Sequence, residues 1–580
     1  MNDKIQNFKD FLIKKGVNEI EIAPFLADIQ KEIKNKKYGL VWEDKDEDVS
    51  KELVNKFPLF NEYISKDIMT DNNKPTNLLI EGDNLYTLKA LQYTHKGSCH
   101  VIYIDPPYNI GNSDFMYNGK YVDKEDTWRH SKWLSFMNKR LRLAKNLLTD
   151  DGLIFISIGD NEHAQLKLLC NEIFGEANFL ANINRTQSKG AKNDTKNFVN
   201  DNDYILAYCK NISYVQVNKV TTKNDTSKYN KVDNIGKYKR RAFEMQGGDD
   251  TLVLRPKMGY SVYYNENTKD IKALLDYDLN RGDVYEKPNK ELIKSGYICF
   301  RPKETKNGHG IWRWGMETFL ENKSEIEFDT KACRLYIKER EKEELSLIPN
   351  CNIEAINTEA TKEILNLFGQ KVFLHSKPLK LIKWIVDRHP NKNAVILDFF
   401  AGSGTTGHAV LELNKEDGGN RKFILCTHNE NNLCEDITYQ RINKAICGYT
   451  ALKGIEVDGL GGNLKYYRVM LEDDKIDIDD NINNLIYKCS DTITIKEQCF
   501  ELIERNSTYD IISNTEKVVL LYKNPFAMDY EVEEVSKTLS NYKQVTKMLY
   551  TTNTDVQLEG IVVKEFPVEM INHYKVLNVV

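Results

Sequence analysis

The sequence predicts an α/β protein built on a doubly wound sheet, and three observations carry that prediction. Short apolar, β-branched runs such as Val101-Ile102-Tyr103-Ile104 and Ala394-Val395-Ile396-Leu397 have the length and composition of strands buried on both faces. Helical stretches alternate with them, the texture of parallel strands joined by crossovers. The first run is closed by Asp105-Pro106-Pro107-Tyr108, and the second runs through Asp398 into a glycine-rich turn. Polar loops therefore gather at strand ends, where open α/β sheets bind ligands.

At 580 residues the chain is too long for one ordinary core, and two to four domains are expected. A formal net charge of −5 means that any nucleic-acid surface must concentrate its cations on one face. The 11 cysteines are odd in number and form no C-x-x-C pair, which argues for reduced thiols in a cytoplasm and against a zinc site. The amino-terminal residues have no apolar core of the signal-peptide kind, and no stretch approaches the ~20 apolar residues of a membrane span.

Residues 1–75 read as a charged helical cap, with Ile5, Phe8, Phe11 and Leu12 on one stripe. Residues 76–211 read as the first half of the main domain. Asn77 to Asp83 is a strand ending in a Gly-Asp turn, followed by a helix through Leu91 and the strand before Asp105. That β-α-β unit brings both loops to one edge. A helix from Trp133 to Leu148 follows, and Lys139, Arg140, Arg142 and Lys145 read as its solvated face. Leu153–Ile158 is a strand, Asn161–Phe174 a helix and Tyr204–Tyr208 a strand, while the basic stretch Arg185 to Lys192 reads as a mobile loop.

From 212 to 355 the alternation fades and cations mingle with aromatics, as in Lys237-Tyr238-Lys239-Arg240-Arg241 and Trp312-Arg313-Trp314. Such a mixture can contact phosphates and base edges, or simply face solvent. The α/β texture resumes over 356–455. Val372–Leu379 leads to a helix through Val386, Ala394–Asp398 and Lys422–Cys426 are strands, and Tyr439–Ala451 is a helix. Past 455, Gly459-Leu460-Gly461-Gly462 reads as a hinge, and 456–580 closes the chain as a mixed domain with an acidic stretch at 471–480.

Two sites stand out. Successive prolines fix the backbone after Asp105 and remove two amide donors. The corner then offers a carboxylate, bare carbonyls and the face of Tyr108, a set suited to a planar base with an exocyclic amine. The second site is Gly402-x-Gly404-x-x-Gly407 after Asp398. Its glycines match a dinucleotide pattern, which by itself is weak. A phosphate gives no reason for Asp398, whereas a cationic amino group does, and Glu430 ends the next strand where ribose hydroxyls are held. S-adenosylmethionine fits both carboxylates better than a pyrophosphate.

The proline motif followed by Asp398-x-Phe400-x-Gly402-x-Gly404, with a long insert between them, resembles the amino-methylating DNA methyltransferases of the β class. Aspartate at 105 resembles their adenine-N6 members. Glu81-Gly82-Asp83-Asn84-Leu85, Asn429-Glu430-Asn431-Asn432, the insert and the C-terminal extension resemble the modification subunit of type III restriction systems. The resemblance implies a Rossmann-like methyltransferase sheet with an inserted target-recognition domain and a mixed C-terminal domain. It implies catalysis by Asp105, Pro106, Pro107 and Tyr108, and a cofactor pocket of Asp83, Lys377, Asp398, Phe400, Gly402, Gly404, Thr405 and Glu430. Arg185, Lys189, Lys239, Arg240, Arg241 and Arg313 are the expected DNA contacts. Double-stranded DNA, a second copy in a homodimer and a separate ATP-dependent restriction subunit are the expected partners, in a cytoplasmic enzyme of bacterial or phage origin.

Aspartate at 201 and 203 and asparagine at 200 and 202 depart from the commoner His-Glu-Tyr of related enzymes, which leaves Tyr204 open as a second wall for a flipped base. The alternatives are a solitary DNA adenine methyltransferase, an N4-cytosine or RNA amino-methyltransferase, and an NAD enzyme built on the glycine loop. No G-x-x-x-x-G-K-[ST] loop is present, so restriction would need another subunit.

Overall fold

Each central strand sends alternate side chains into two different apolar layers. Ile102 and Ile104 join one cluster with Leu78, Ile80 and Leu397, while Val101 and Tyr103 join the other with Leu79 and Ile396. A strand whose side chains are apolar on both sides must be covered on both faces, which makes the sheet doubly wound. The computed structural model describes residues 42–566, except 72–73, 112–113, 190–197, 276, 279–283, 286–287 and 474–477. The amino-terminal stripe of Ile5, Phe8, Phe11 and Leu12 lies outside the described residues.

The main sheet contains, in chain order, β1 (Lys56–Glu62), β2 (Thr76–Glu81), β3 (Cys99–Ile104), β4 (Leu148–Ile158), β5 (Phe179–Thr186), β6 (Asn202–Cys209), β7 (Asn352–Glu354), β8 (Val395–Asp398), β9 (Lys422–Thr427) and β10 (Asn463–Asp473). Their spatial order is β1-β10-β2-β9-β8-β3-β4-β6-β5-β7. From β10 to β4 all neighbours are parallel. Helices α1 (Asn84–Thr94), α2 (Arg129–Leu147), α3 (Asp160–Phe174), α4 (Leu379–Val386), α5 (Thr405–Asp417) and α6 (Gln440–Cys447) complete the elements around the site.

Several expected boundaries move. Residues 56–62 form β1 rather than helix, because Phe57, Leu59 and Phe60 are buried. Asn463–Asp473 pairs in parallel with β2, so the stretch after the supposed hinge belongs to the main sheet and not to a domain starting at 456. The β-α-β unit exists, but β9 and β8 lie between its two strands. The helix expected over Tyr439–Ala451 is a π-helical turn, Leu433–Tyr439, then α6, then a strand, Gly448–Ala451. Arg140 is fully buried, not solvated: its guanidinium pairs with Glu47 at 2.8 Å.

Residues 219–348 form a separate compact unit, seven residues shorter at each end than the expected insert. Asn218 belongs outside it, donating to the Asp387 and His389 carbonyls. The unit is built from short antiparallel sheets around Phe243, Tyr260, Trp312 and Phe319. The C-terminal residues form a five-stranded sheet, with Ile486, Cys489 and Ile493 of the preceding helix in a core shared with Phe57 and Leu59 of β1. Among the described residues no helix is long and apolar enough to cross a membrane.

Candidate active site

Strands β3 and β8 are direct parallel neighbours, with Ile396 opposite Val101 and Leu397 opposite Ile102. From β3 the chain goes on to β4 on one side, and from β8 it goes on to β9 on the other. The strand order reverses between them, which opens a crevice beyond their carboxyl ends. Neighbouring strands are ~4.8 Å apart, so the proline corner after β3 and the glycine turn after β8 leave the sheet side by side.

The proline corner is fixed from several directions. Lys377 donates to both carboxylate oxygens of Asp105 at 2.6 Å each, and its ammonium lies 5.1 Å from the centre of the Tyr108 ring. Lys377 was expected at the cofactor, but its ammonium reaches the corner. The Trp133 indole donates to the Pro107 carbonyl at 2.7 Å. The Pro106 carbonyl has no partner among the described residues, so it is the prolyl oxygen open to a new donor. A Cβ on Gly159 would sit 2.9 Å from the Tyr108 ring, so only glycine lets that ring lie against the loop. The Tyr108 hydroxyl donates to Asp203 at 3.4 Å; burial first, then the Asp105 and Asp203 charges, push its ionisation far above the usual range.

The glycine turn is held by its own aspartate. Asp398 accepts from the Phe400 amide at 3.0 Å and from the Thr406 hydroxyl at 2.5 Å. Burial raises its pKa to about 7, and the nearby Asp105 charge adds to the rise. Gly402 and Gly404 have φ of 49° and 77°, the left-handed region in which a side chain is strained. A Cβ on Gly404 would also approach the Thr438 Cγ2 at 3.2 Å and its carbonyl at 3.3 Å.

Thr405, expected to line the cofactor pocket, opens α5 with its hydroxyl turned inward. It is buried and accepts from Arg441 at 2.7 Å within a network with Ser376 and Ser403. Phe400 is half-buried against Phe136. Glu430 follows β9 with an exposed carboxylate, the position expected of it. Asp83 caps α1, accepting from the Leu85 amide at 2.7 Å. The glycine turn, the amide-rich helix start and the exposed acid beyond the next strand fit an adenosine with an amino-acid tail.

The expected DNA contacts fare differently. Arg185 lies in β5 rather than in a loop, is 1% exposed, and pairs with Asp203 at 2.7 Å, so it is a core ion pair and not a phosphate contact. Lys189 is exposed but paired with Glu354. Glycine 190 to Lys192 lie outside the described residues. Within the compact unit, Lys237–Ala242 is a strand, so Tyr238 and Arg240 face one way and Lys239 and Arg241 the other. Arg240 binds Glu327 at 2.5 Å and Lys239 binds Glu339 at 3.0 Å. Arg313 donates to the Ala242 carbonyl. Arg241 is exposed without an ion-pair partner among the described residues.

That division gives a prediction. Arg241→Ala is expected to lower the salt slope of DNA binding by about one, as the loss of a single phosphate contact would. Arg240→Ala is expected to leave the slope unchanged and to weaken the unit's fold instead. Arg240 bonds depress the Glu327 pKa from 4.5 to about 2. A depressed carboxylate stabilises the fold fully above its unfolded pKa, and that contribution fades as pH falls through the folded value. The stability gap between wild type and Arg240→Ala should therefore shrink between about pH 5 and about pH 2, as read by urea denaturation.

A family model described as DNA methylase matches residues 99–438, which span both loops and the unit between their strands. The chain belongs to the DNA methylase family. It is 37% identical to the type II methyltransferase M.KpnI of Klebsiella pneumoniae, over 60% of this chain and 79% of that one. It is 32% identical to the type III restriction-modification enzyme EcoPI Mod subunit of Escherichia phage P1, over 62% of this chain and 58% of the subunit. With the StyLTI Mod subunit of Salmonella typhimurium it shares 33% identity over 63% of this chain and 54% of that one. The chain thus spans a little over half the length of these two Mod subunits. As a DNA methylase it uses S-adenosylmethionine as its methyl donor.

Sequence reading missed Trp133 and Glu162, whose side chains bond the proline corner and the asparagine that follows it. Trp133 reads as an ordinary apolar helix residue. Glu162, in the first turn of α3, reads as an exposed acid favourable to the helix dipole.

Proposed function

We propose that this DNA methylase transfers a methyl group to the N6 amine of adenine in double-stranded DNA, as the modification subunit of a type III restriction-modification system. The juxtaposition of the proline corner and the glycine turn across the β3–β8 crevice carries this reading. S-adenosylmethionine, when bound, supplies an electrophilic methyl group on sulfonium. Asp105 and the Pro106 carbonyl accept the two amine protons, holding the nitrogen lone pair toward the crevice and stabilising the charge that develops on it. Tyr108 stacks on the flipped ring and offsets part of the few kcal/mol needed to extrude it. Lys377 supports this assignment: its ammonium is bonded to Asp105 and lies over Tyr108, where the reading puts a nitrogen donor above an aromatic face. It must leave at least one Asp105 oxygen when the amine arrives.

Asp398 shapes the glycine turn, Gly402 and Gly404 admit the cofactor, Phe400 flanks it and Glu430 holds its ribose. The unit 219–348 reads the target sequence, and the chain pairs with a second copy and with a separate restriction subunit. The similarity to the Mod subunits favours this setting, whereas the similarity to a type II methyltransferase over 79% of its length favours a solitary enzyme. Single-molecule sequencing of DNA from cells expressing the chain tests the proposal. N6-methyladenine within one sequence, on one strand of an asymmetric site, is expected; methylated cytosine would overturn the adenine assignment, and a palindromic site modified on both strands would favour the type II setting.

A further inference from the structure

Next to the proline corner lies a polar cluster whose members come from the loop after Tyr108, α2 and α3. Asn109 follows Tyr108 directly, is fully buried, and has φ of 57°, in the left-handed region that asparagine tolerates better than most residues. Its amide donates to Glu162 of α3 at 2.6 Å and to the Arg129 carbonyl of α2 at 3.3 Å. Glu162 is itself 0% exposed, and the same carboxylate oxygen is 2.6 Å from the Nδ1 of His130. Arg129 donates to the other ring nitrogen of His130, so Nε2 accepts and the ring proton lies on Nδ1, toward Glu162.

The cluster is unusual in what it leaves over. Among the described residues, Glu162 Oε2 and Asn109 Oδ1 are both buried oxygens without a hydrogen-bond partner. Two orphan acceptors in one buried cluster are costly if Glu162 is ionised. Protonation turns one of them into a donor. Burial raises the Glu162 pKa from 4.5 to about 8, against the lowering effects of the Asn109 bond and the Arg129 charge, so the neutral acid predominates near pH 7. The imidazole of His130 is likewise held below its usual range, first by burial and then by Arg129. The bonds that fix Asn109 are therefore those of neutral groups.

We propose that Glu162, supported by His130, is a positioning residue for methyl transfer: it clamps the Asn109 amide and so holds Tyr108 and the prolyl carbonyls in the geometry that receives the target amine. Glu162 acts through Asn109 and touches neither substrate nor cofactor. Strand β3 and the prolines fix where the corner begins, and Asn109 fixes where it ends. Without the clamp, a residue at positive φ can relax toward ordinary backbone, and the Tyr108 ring turns with it. The proposal rests on Asp105 and Tyr108 forming the catalytic corner.

The test compares Glu162→Ala, Glu162→Gln and Asn109→Gly in the full-length protein with wild type and with Asp105→Ala. Glu162→Ala is expected to lower kcat by about 100-fold, the scale of a misplaced reacting group, with the dissociation constants for S-adenosylmethionine and DNA nearly unchanged. Glu162→Gln, which keeps a neutral donor and acceptor, should restore most of the rate. Asn109→Gly removes the amide while tolerating the backbone geometry; it should lose as much as Glu162→Ala, with no further loss in the double variant. This arm also serves if Glu162→Ala does not fold. A kcat near wild type in Glu162→Ala or Asn109→Gly, additive losses, or a cofactor affinity that falls in step with kcat would each overturn the proposal. If Asp105→Ala is as active as wild type, it is the assignment of the corner that fails instead.

Discussion

Replacing Asp105 with alanine is expected to slow methyl transfer by about 1,000-fold or more while S-adenosylmethionine binding persists, because in the proposed mechanism the variant deletes the group that faces developing charge. The geometry makes the split between the two readouts sharp. Asp105 follows β3, and the glycine turn after β8 keeps its shape through Asp398, Phe400 and Thr406, none of which bonds to Asp105. The substitution also leaves the half-buried Lys377 ammonium without the carboxylate that holds it, so some loss of stability should accompany the loss of rate. Asp105→Asn separates the two effects, since it keeps the shape and one acceptor oxygen but loses the charge. Isothermal titration with the cofactor and a radiolabelled methyl-transfer assay on DNA would measure both quantities. Unchanged turnover in Asp105→Ala would remove the proline corner from the chemistry.

Gly404→Asp should act in the opposite way, abolishing cofactor binding and activity together. At φ of 77° any side chain is strained, and the new Cβ would press on both the side chain and the backbone of Thr438. A rigid carbonyl at 3.3 Å cannot yield as a flexible side chain can. Affinity for S-adenosylmethionine is expected to fall at least about 100-fold, the loss of roughly 3 kcal/mol. Near-normal affinity would show that the ligand binds away from this turn. Gly404→Ala gives the control, carrying the strain and the contact without the charge.

How much was legible beforehand follows from how far apart the interacting residues lie. The proline corner and the glycine turn each fit within a short stretch, and their residue types restrict the backbone locally. Their strands were equally visible, because unbroken β-branched runs have few other fates. Lys377 and Asp105 are 272 positions apart, and nothing in either stretch names the other as its partner. Arg185 shows the reverse error: a basic residue at the head of a stretch carrying Lys189 and Gly190 looks solvent-facing until the sheet supplies Asp203 as a buried neighbour. Lys239 and Arg240 misled in the same manner, since their acids stand on other strands of the same sheet.

By itself the sequence determined the strands, the two loops and the chemistry those loops can offer, because each depends on covalent geometry and on side chains adjacent in the chain. Tertiary structure alone decided that β8 lies beside β3, that β10 enters the main sheet, and that Glu162 faces Asn109. Those are choices between distant partners, made by which faces must be buried together and which buried polar atoms must be satisfied.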